Sequence, residues 1–221
     1  MSPLDPHKIR CSLCKLQLEQ TRGLAGNIMT KQSSSSVVDV DATDAPYLRP
    51  SSRLCRLLWT VCWVLFYRFS PRPFHAWRSM LLRAFGAKMG SNCHFYPKSK
   101  VWAPWNLLCE DQVTLGDEAE IYNPAPMRFG SHAIVSQGAY LCGATHDFND
   151  PGLRLCAYPM TFGPYCWVCA RASVDAGVNV GEGAVLGLGS VATQNLEPWC
   201  VYAGSPAIKV KDRKRRAKTE A

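Results

Sequence analysis

The residues that could do chemistry lie around one break in the pattern of the C-terminal half. His146 comes directly before residues 147–161, which interrupt an otherwise regular repeat and are expected to project as a loop. A neutral imidazole exchanges a proton near neutral pH, so a histidine at this point can act as a general base. Asp147 follows and could orient the imidazole. A lone histidine at a loop edge is also a common surface residue, and the residues alone leave both interpretations open.

The cysteine pattern argues against a disulfide framework and against a metal centre. The chain has 221 residues and eleven cysteines, an odd number that is spread along its length. Cys11 and Cys14 form a CxxC pair, but the second pair that a zinc site needs is not apparent. Four others stand where a small apolar residue would fit and are expected to be buried thiols in a reducing compartment: Cys93, Cys142, Cys166 and Cys169.

A six-residue period is the strongest signal in the sequence. From residue 162 the hexads read FGPYCW, VCARAS, VDAGVN, VGEGAV and LGLGSV, and from residue 129 they read FGSHAI, VSQGAY and LCGATH. The first position is apolar and the fifth is small or medium-sized. Weaker copies begin at Met89, with two-residue slips near Val113 and Met127. This period fits neither a helix nor a hairpin, and it predicts a parallel β-helix with three short strands in each coil.

Composition divides the chain into four segments. Residues 1–45 contain a serine run and few large apolar residues, so they are expected to be a flexible tail. Residues 46–88 are predicted to hold two helices, the second ending at Phe85 with Gly86 as its C-cap. Residues 89–208 carry the repeat, and residues 209–221 are expected to be a basic tail.

The helical segment has an unusual charge and apolar content. Residues 46–100 contain ten basic and no acidic side chains, together with aromatic residues that include Trp59, Trp63, Phe66, Phe69 and Trp77. The longest apolar run, residues 57–67, is too short to cross a bilayer of about 30 Å as a helix. The segment either caps the first coil or contacts an anionic membrane surface. The aromatic residues favour the membrane over nucleic acid as the partner of the basic block.

Several segments resemble a known family. Residues 168–191 together with AGSPA at 203–207 are similar to left-handed β-helix hexapeptide acyltransferases. Within that group the likeness is greatest to the colanic acid biosynthesis acetyltransferase type. It includes WRSMLLRAFGAKMG at 77–90, VSQGAYLCGATHDF at 135–148 and YAGSPAIKVKDR at 202–213. It covers about residues 50–213 and implies a mainly β fold.

The resemblance implies an acetyl-CoA-dependent O-acetyltransferase, usually a homotrimer, with no permanently bound cofactor and no metal. The expected acceptor is a sugar or a lipid-linked glycan hydroxyl in exopolysaccharide or surface-glycan biosynthesis. His146 becomes the catalytic base, assisted by Asp147, while Trp167 contacts the substrate and Asn123 helps to hold either the substrate or the oxyanion. The residues expected along the path of coenzyme A are Ala170, Gly187, Ser190, Thr193 and Lys209.

Other functions share parts of this pattern. A small-molecule acetyltransferase, of the xenobiotic or serine type, would carry the same hexads, and so would a non-catalytic β-helix scaffold. A zinc carbonic anhydrase shares the fold, but the spacing of His94, His132 and His146 lacks its paired ligands. The first thirty residues lack the apolar stretch of a secretory signal. We therefore expect a cytoplasmic protein with a peripheral contact at the inner membrane face.

Overall fold

A computed structural model describes residues 50–214 of the chain. The predicted tail at 1–45, the Cys11–Cys14 pair and residues 215–221 of the basic end lie outside the described residues. The described chain begins with helix α1 (Pro50–Cys62), which continues into a π-helical turn (Trp63–Tyr67) and is followed by helix α2 (His75–Ala84). Within the described residues, no helix is both long enough and apolar enough to cross a bilayer.

One face of the two helices closes the open end of a β-helix. Trp59, Tyr67 and Leu82 are buried against the first coil. The indole nitrogen of Trp59 donates a 2.7 Å hydrogen bond to the Val101 carbonyl, and the Tyr67 hydroxyl lies 2.9 Å from Ser99 Oγ. These polar tips satisfy backbone and side-chain groups that the edge of the first coil leaves unpaired. The two helices therefore pack on the first coil as a cap, one of the two roles that the sequence left open.

Three parallel sheets form the sides of a triangular prism. The first sheet holds β1 (Lys88–Met89), β4 (Leu107–Cys109), β7 (Met127–Phe129) and β12 (Met160–Phe162). The second holds β2 (His94–Phe95), β5 (Thr114–Leu115), β8 (Ile134–Val135), β13 (Trp167–Val168), β15 (Val185–Leu186), β17 (Cys200–Gly204) and the antiparallel β18 (Ala207–Asp212). The third holds β3 (Lys100–Val101), β6 (Glu120–Tyr122), β9 (Tyr140–Cys142), β14 (Ser173–Val174) and β16 (Val191–Ala192).

The hexads explain this arrangement. The first residue of each hexad points into the prism and stacks on its equivalent one coil away, so that Phe129 and Phe162 lie 4.7 Å apart between ring centroids. The small fifth residue lies inside a tight corner, as Ala133 and Ala172 do. Gly183 has φ +64°, and a Cβ there would come within 2.6 Å of the Trp199 ring, so this corner requires glycine. The predicted left-handed parallel β-helix is confirmed.

Two details differ from the sequence expectations. The extra residues enter at one corner, between the third and first sheets: a 3₁₀ turn at Pro104–Asn106 and the segment 123–126. The first slip therefore precedes Val113, because Val113 itself keeps its buried place in a regular hexad. The predicted basic tail at 209–221 also begins later, since residues 209–212 belong to β18 and pair with β17.

Replacing a stacked core residue should destabilise the whole prism. Phe162 is fully buried, so Phe162→Ala removes its apolar contacts and leaves a cavity beside Phe129. We expect the free energy of unfolding, measured by urea denaturation at fixed protein concentration, to fall by about 3–5 kcal/mol. The neighbouring exposed Thr161→Ala should change it by less than about 0.5 kcal/mol. Equal effects of the two substitutions would contradict the stacked-core assignment.

Candidate active site

A β-hairpin leaves the prism between the third and first sheets. Its strands are β10 (Ala144–His146) and β11 (Leu155–Ala157), which pair antiparallel with His146 opposite Leu155. The chain turns outward at Gly143, where a Cβ would collide with the Tyr122 carbonyl oxygen. The projecting loop predicted for residues 147–161 is thus an ordered hairpin, and its first strand carries His146.

The side chain of His146 is exposed, and its orientation is set by the backbone of the hairpin tip. Nδ1 lies 2.5 Å from the carbonyl oxygen of Leu153. A carbonyl can only accept a hydrogen bond, so Nδ1 must carry the proton in the neutral ring. Nε2 then holds the free lone pair, which is the state that a general base requires.

The unusual backbone of Leu153 makes this contact available. Its φ is +48°, a left-handed conformation that is uncommon for a leucine and is supported by the turn at the hairpin tip. The Asp150 carboxylate accepts a hydrogen bond from the Gly152 amide, and the Leu153 amide donates to the Asp150 carbonyl. Leu153 has no side-chain signal in the sequence, because it acts through its backbone carbonyl; the nearby DPG at 150–152 predicts only a turn.

Asp147 is turned away from the imidazole and into the hairpin tip. Its side chain is buried, and Oδ1 accepts a 3.0 Å hydrogen bond from the Asn149 amide. Its own amide donates to the Arg154 carbonyl at 2.9 Å. These contacts make Asp147 an organiser of the tip, and the role of orienting His146, expected from its sequence position, falls to the Leu153 carbonyl instead.

Asn123 is part of the framework below the hairpin. It is fully buried, and its amide oxygen and nitrogen bond the Ala103 amide and carbonyl at 2.9 and 2.8 Å. Both ends of the side chain are therefore used to join two successive coils at the corner where the extra residues enter. The expectation that Asn123 contacts substrate or oxyanion is not supported by this environment.

Trp167 lies on the outer face of the second sheet, which is a different side of the prism from the corner with the hairpin. Its side chain is 42% exposed, and Nε1 donates a 2.8 Å hydrogen bond to Ser136 Oγ. In the register of the sheet it lies between Ile134 and Val185. Within a single chain, Trp167 and His146 therefore lie on different sides of the prism. Ser136, which fixes the indole ring, was not singled out from the sequence.

The predicted coenzyme A residues lie on the last coils, but two of them already have partners. The Ser190 hydroxyl is buried and accepts a hydrogen bond from the Gly204 amide. Lys209 Nζ lies 3.0 Å from Asp212 Oδ1 and 3.3 Å from Glu197 Oε2, and the hydrogen bond with Asp212 raises the pKa of the lysine. Both residues therefore stabilise the end of the prism.

The other three coenzyme A candidates are at the turns of the same coils. The Ala170 carbonyl accepts a hydrogen bond from the Gly189 amide at 3.0 Å, and Gly187 and Thr193 follow in the next turns. Among residues 50–214, no group of three or more histidine, cysteine, aspartate or glutamate side chains converges as a metal site would require. The nine cysteines in this range are free thiols.

The prism of hexads and the hairpin with its oriented histidine define a hexapeptide-repeat acyltransferase. No family model matches the chain. It is 33% identical over 156 residues to the Escherichia coli K12 protein that carries the name colanic acid biosynthesis acetyltransferase WcaF, covering 71% of this chain and 86% of the relative. The chain belongs to this acetyltransferase family, as its motifs predicted, and it is an acetyltransferase.

Two further comparisons extend this result. The Escherichia coli K12 galactoside O-acetyltransferase is 27% identical over 125 residues, covering 56% of this chain and 55% of the relative. The solved structure of the hexapeptide-repeat acetyltransferase VCA0836 of Vibrio cholerae, in complex with acetyl coenzyme A, matches with a TM-score of 0.66 at 18% identity. It covers 76% of this chain and 92% of its own, and it shows the same fold.

Two substitutions distinguish a structural role of Asp147 in the hairpin tip from a role of its charge in orienting His146. In Asp147→Asn the amide oxygen can still accept the hydrogen bond from Asn149, so we expect kcat to stay within about threefold of the parent value. Asp147→Ala removes the acceptor and should lower both activity and thermal stability. A serine-protease triad loses about 10⁴-fold when its aspartate becomes asparagine. A comparable loss in Asp147→Asn would show that the carboxylate acts on His146.

Proposed function

We propose that the protein transfers the acetyl group of acetyl-CoA to a sugar hydroxyl in the biosynthesis of an exopolysaccharide or another surface glycan. The observation that carries the chemistry is the hydrogen bond from His146 Nδ1 to the Leu153 carbonyl, which leaves Nε2 free to take a proton. The names of two relatives, a colanic acid biosynthesis acetyltransferase and a galactoside O-acetyltransferase, support a sugar acceptor. The acetyl-CoA complex of the structural neighbour supports the donor.

The reaction follows from the free Nε2. The acceptor hydroxyl gives its proton to Nε2 while its oxygen attacks the carbonyl carbon of the thioester. The tetrahedral intermediate then collapses, the C–S bond breaks, and the imidazolium returns the proton to the departing thiolate of coenzyme A. The Leu153 carbonyl stabilises the imidazolium between these steps, because it faces the Nδ1–H throughout. The Ala170 amide is our candidate for the oxyanion donor, because the neighbouring Cys169 amide already donates to the Leu186 carbonyl at 2.9 Å.

A homotrimer would complete the site. His146 and Trp167 lie on different sides of one prism, while the outer face of the second sheet exposes apolar side chains, with Ile134 41% and Trp167 42% exposed. In a closed ring, this face of one subunit would meet the hairpin corner of the next. The acceptor and acetyl-CoA would then be enclosed between two subunits. The pantetheine arm would pass Ala170, Gly187 and Thr193, and the exposed Lys211 would be a better phosphate contact than the paired Lys209.

The proposed activity is tested by the product. The full-length protein is incubated with acetyl-CoA and separate acceptors: a simple galactoside, a nucleotide sugar, a lipid-linked glycan, and a xenobiotic alcohol. We expect mass spectrometry to find one added acetyl group on a sugar acceptor and free coenzyme A in equal amount. Acetylation of the xenobiotic alone would contradict the sugar specificity, and release of coenzyme A without any acetylated product would contradict the transfer.

Removal of the imidazole should slow the chemical step strongly and leave the binding of acetyl-CoA unchanged. We expect His146→Ala to lower kcat by about two to four orders of magnitude, the usual contribution of a general base. The affinity for coenzyme A, measured by calorimetry, should stay unchanged because the imidazole acts on the acceptor hydroxyl. His132→Asn is the matched control, since His132 lies in a left-handed turn at the corner between the first and second sheets, where asparagine is tolerated, and it should keep full turnover. An equal loss of coenzyme A affinity in His146→Ala would give the residue a structural role.

A shared site makes a specific prediction for mixed oligomers. Light scattering should give a trimer, and His146→Ala and Trp167→Ala should each be poorly active. When the two variants are unfolded and reassembled together, about one quarter of the sites should combine an intact His146 with an intact Trp167 from its neighbour. Activity should rise to a corresponding fraction of the parent value. No recovery in mixed trimers, or full activity in a monomer, would contradict a site between subunits.

A further inference from the structure

The two N-terminal helices expose a large apolar surface that the β-helix does not cover. Among the described residues, eleven of the twenty exposed large apolar side chains lie between positions 54 and 80. We call these the apolar helical face: Leu54, Leu57, Leu58, Val61, Val64, Leu65, Phe66, Phe69, Phe74, Trp77 and Met80. Leu57 is 60% exposed and Phe69 is 74% exposed. An apolar area of this extent marks a binding surface, because isolated exposed side chains do not cluster in this way.

The capping role of the helices does not account for this surface. Trp59 and Tyr67 make the contacts with the first coil, and they lie on the side of α1 and its π-helical turn that faces the prism. Leu54, Leu57, Leu58, Val61 and Leu65 recur at the three- and four-residue spacing of the opposite side. The helix therefore has two apolar sides, and the β-helix uses one.

The surface is continuous across the two helices. The indole nitrogen of Trp77, on α2, donates a 3.0 Å hydrogen bond to the carbonyl oxygen of Phe66 in the π-helical turn that follows α1. This contact joins two members of the apolar helical face directly. The buried Arg78 holds the connecting segment in place by donating to the carbonyls of Phe95, Pro71 and Arg72. The face is consequently a fixed structure and needs no folding on binding.

The charge around the face selects its partner. No acidic residue occurs between positions 46 and 100, while Arg53, Arg68, Arg72 and Arg83 are exposed there. The Arg68 guanidinium lies 5.6 Å from the Trp63 ring centroid and 5.7 Å from the Phe69 ring centroid, at the edge of the face. Long basic side chains around an apolar and aromatic surface are the arrangement of a helix that lies in the headgroup region of an anionic bilayer.

We infer that the apolar helical face binds an anionic membrane surface, with its leucine and phenylalanine side chains among the acyl chains and its arginines among the headgroups. The arginines favour lipid over a second copy of this chain, because two such basic faces would repel each other. The inference does not depend on the acetyltransferase chemistry, since it can be tested without either substrate. It adds a location to that chemistry: the active-site hairpin would work beside the membrane on which lipid-linked glycans are carried.

Vesicle flotation of the full-length protein tests the inference. The vesicles are pure phosphatidylcholine or phosphatidylcholine with about one third phosphatidylglycerol, at about 0.05 M and about 0.5 M salt. We expect binding to the anionic vesicles at low salt and at least a tenfold weaker affinity for the neutral vesicles or at high salt.

The double variant Leu57→Glu/Leu65→Glu should abolish flotation. The matched variant Ile208→Glu/Val210→Glu, which changes two exposed apolar residues at the opposite end of the prism, should float like the parent.

A second pair of variants tests the charges. Arg53→Gln/Arg72→Gln should weaken binding to anionic vesicles by about fivefold for each arginine, whereas Arg128→Gln/Arg171→Gln on the β-helix should have no such effect. Absence of flotation, equal binding to neutral vesicles, or unchanged binding of Leu57→Glu/Leu65→Glu would overturn the inference. If that variant instead changes the oligomeric state without lipid, the face is an interface between copies and the inference is equally overturned.

Discussion

The structure depends on the closure of each coil in three short strands. This closure requires an inward apolar residue every six positions and a small residue at each corner, as Phe162, Val168 and Val174 illustrate. Extra residues cannot enter a strand without breaking the stack, so they leave at a corner. Between residues 50 and 214 they all leave at the corner between the third and first sheets. The hairpin with His146 is the largest of these insertions. The smaller ones, at 104–106 and 123–126, lie below it at the same corner.

The residues below the hairpin explain how an exposed loop can hold the imidazole of His146 in a fixed orientation. Asn123 joins two coils below the hairpin, Gly143 lets the chain leave the third sheet, and Asp147 shapes the tip. The Leu153 carbonyl then meets Nδ1 of His146. The proposed catalytic tautomer is in this sense a consequence of backbone geometry, and a carboxylate partner is not needed to select it.

Much of the fold could be predicted from the sequence, because the hexad period is long, regular and specific to one architecture. The prediction located the coils from Phe95 to Leu186 and the interruption after His146. It placed the first two-residue slip too late. Several positions of each hexad accept apolar residues, so the sequence does not show where the two extra residues were inserted. The site could be predicted less completely. Asn123 and Ser190 have side chains that suit a substrate site, but burial and hydrogen bonding decide their use, and neither is visible in a sequence.

The central claim is that the neutral imidazole of His146 keeps its proton on Nδ1 and presents Nε2 as the base. The most direct measurement is the ¹⁵N chemical shift of both ring nitrogens in long-range correlation spectra of the histidine-labelled protein, above the pH at which the ring titrates. The chain has five histidines, and the signals of His146 are identified by their loss in a His146→Gln variant. We predict a protonated, pyrrole-type Nδ1 and an unprotonated, pyridine-type Nε2 for His146. The opposite tautomer, or a freely exchanging mixture of both, would contradict the account.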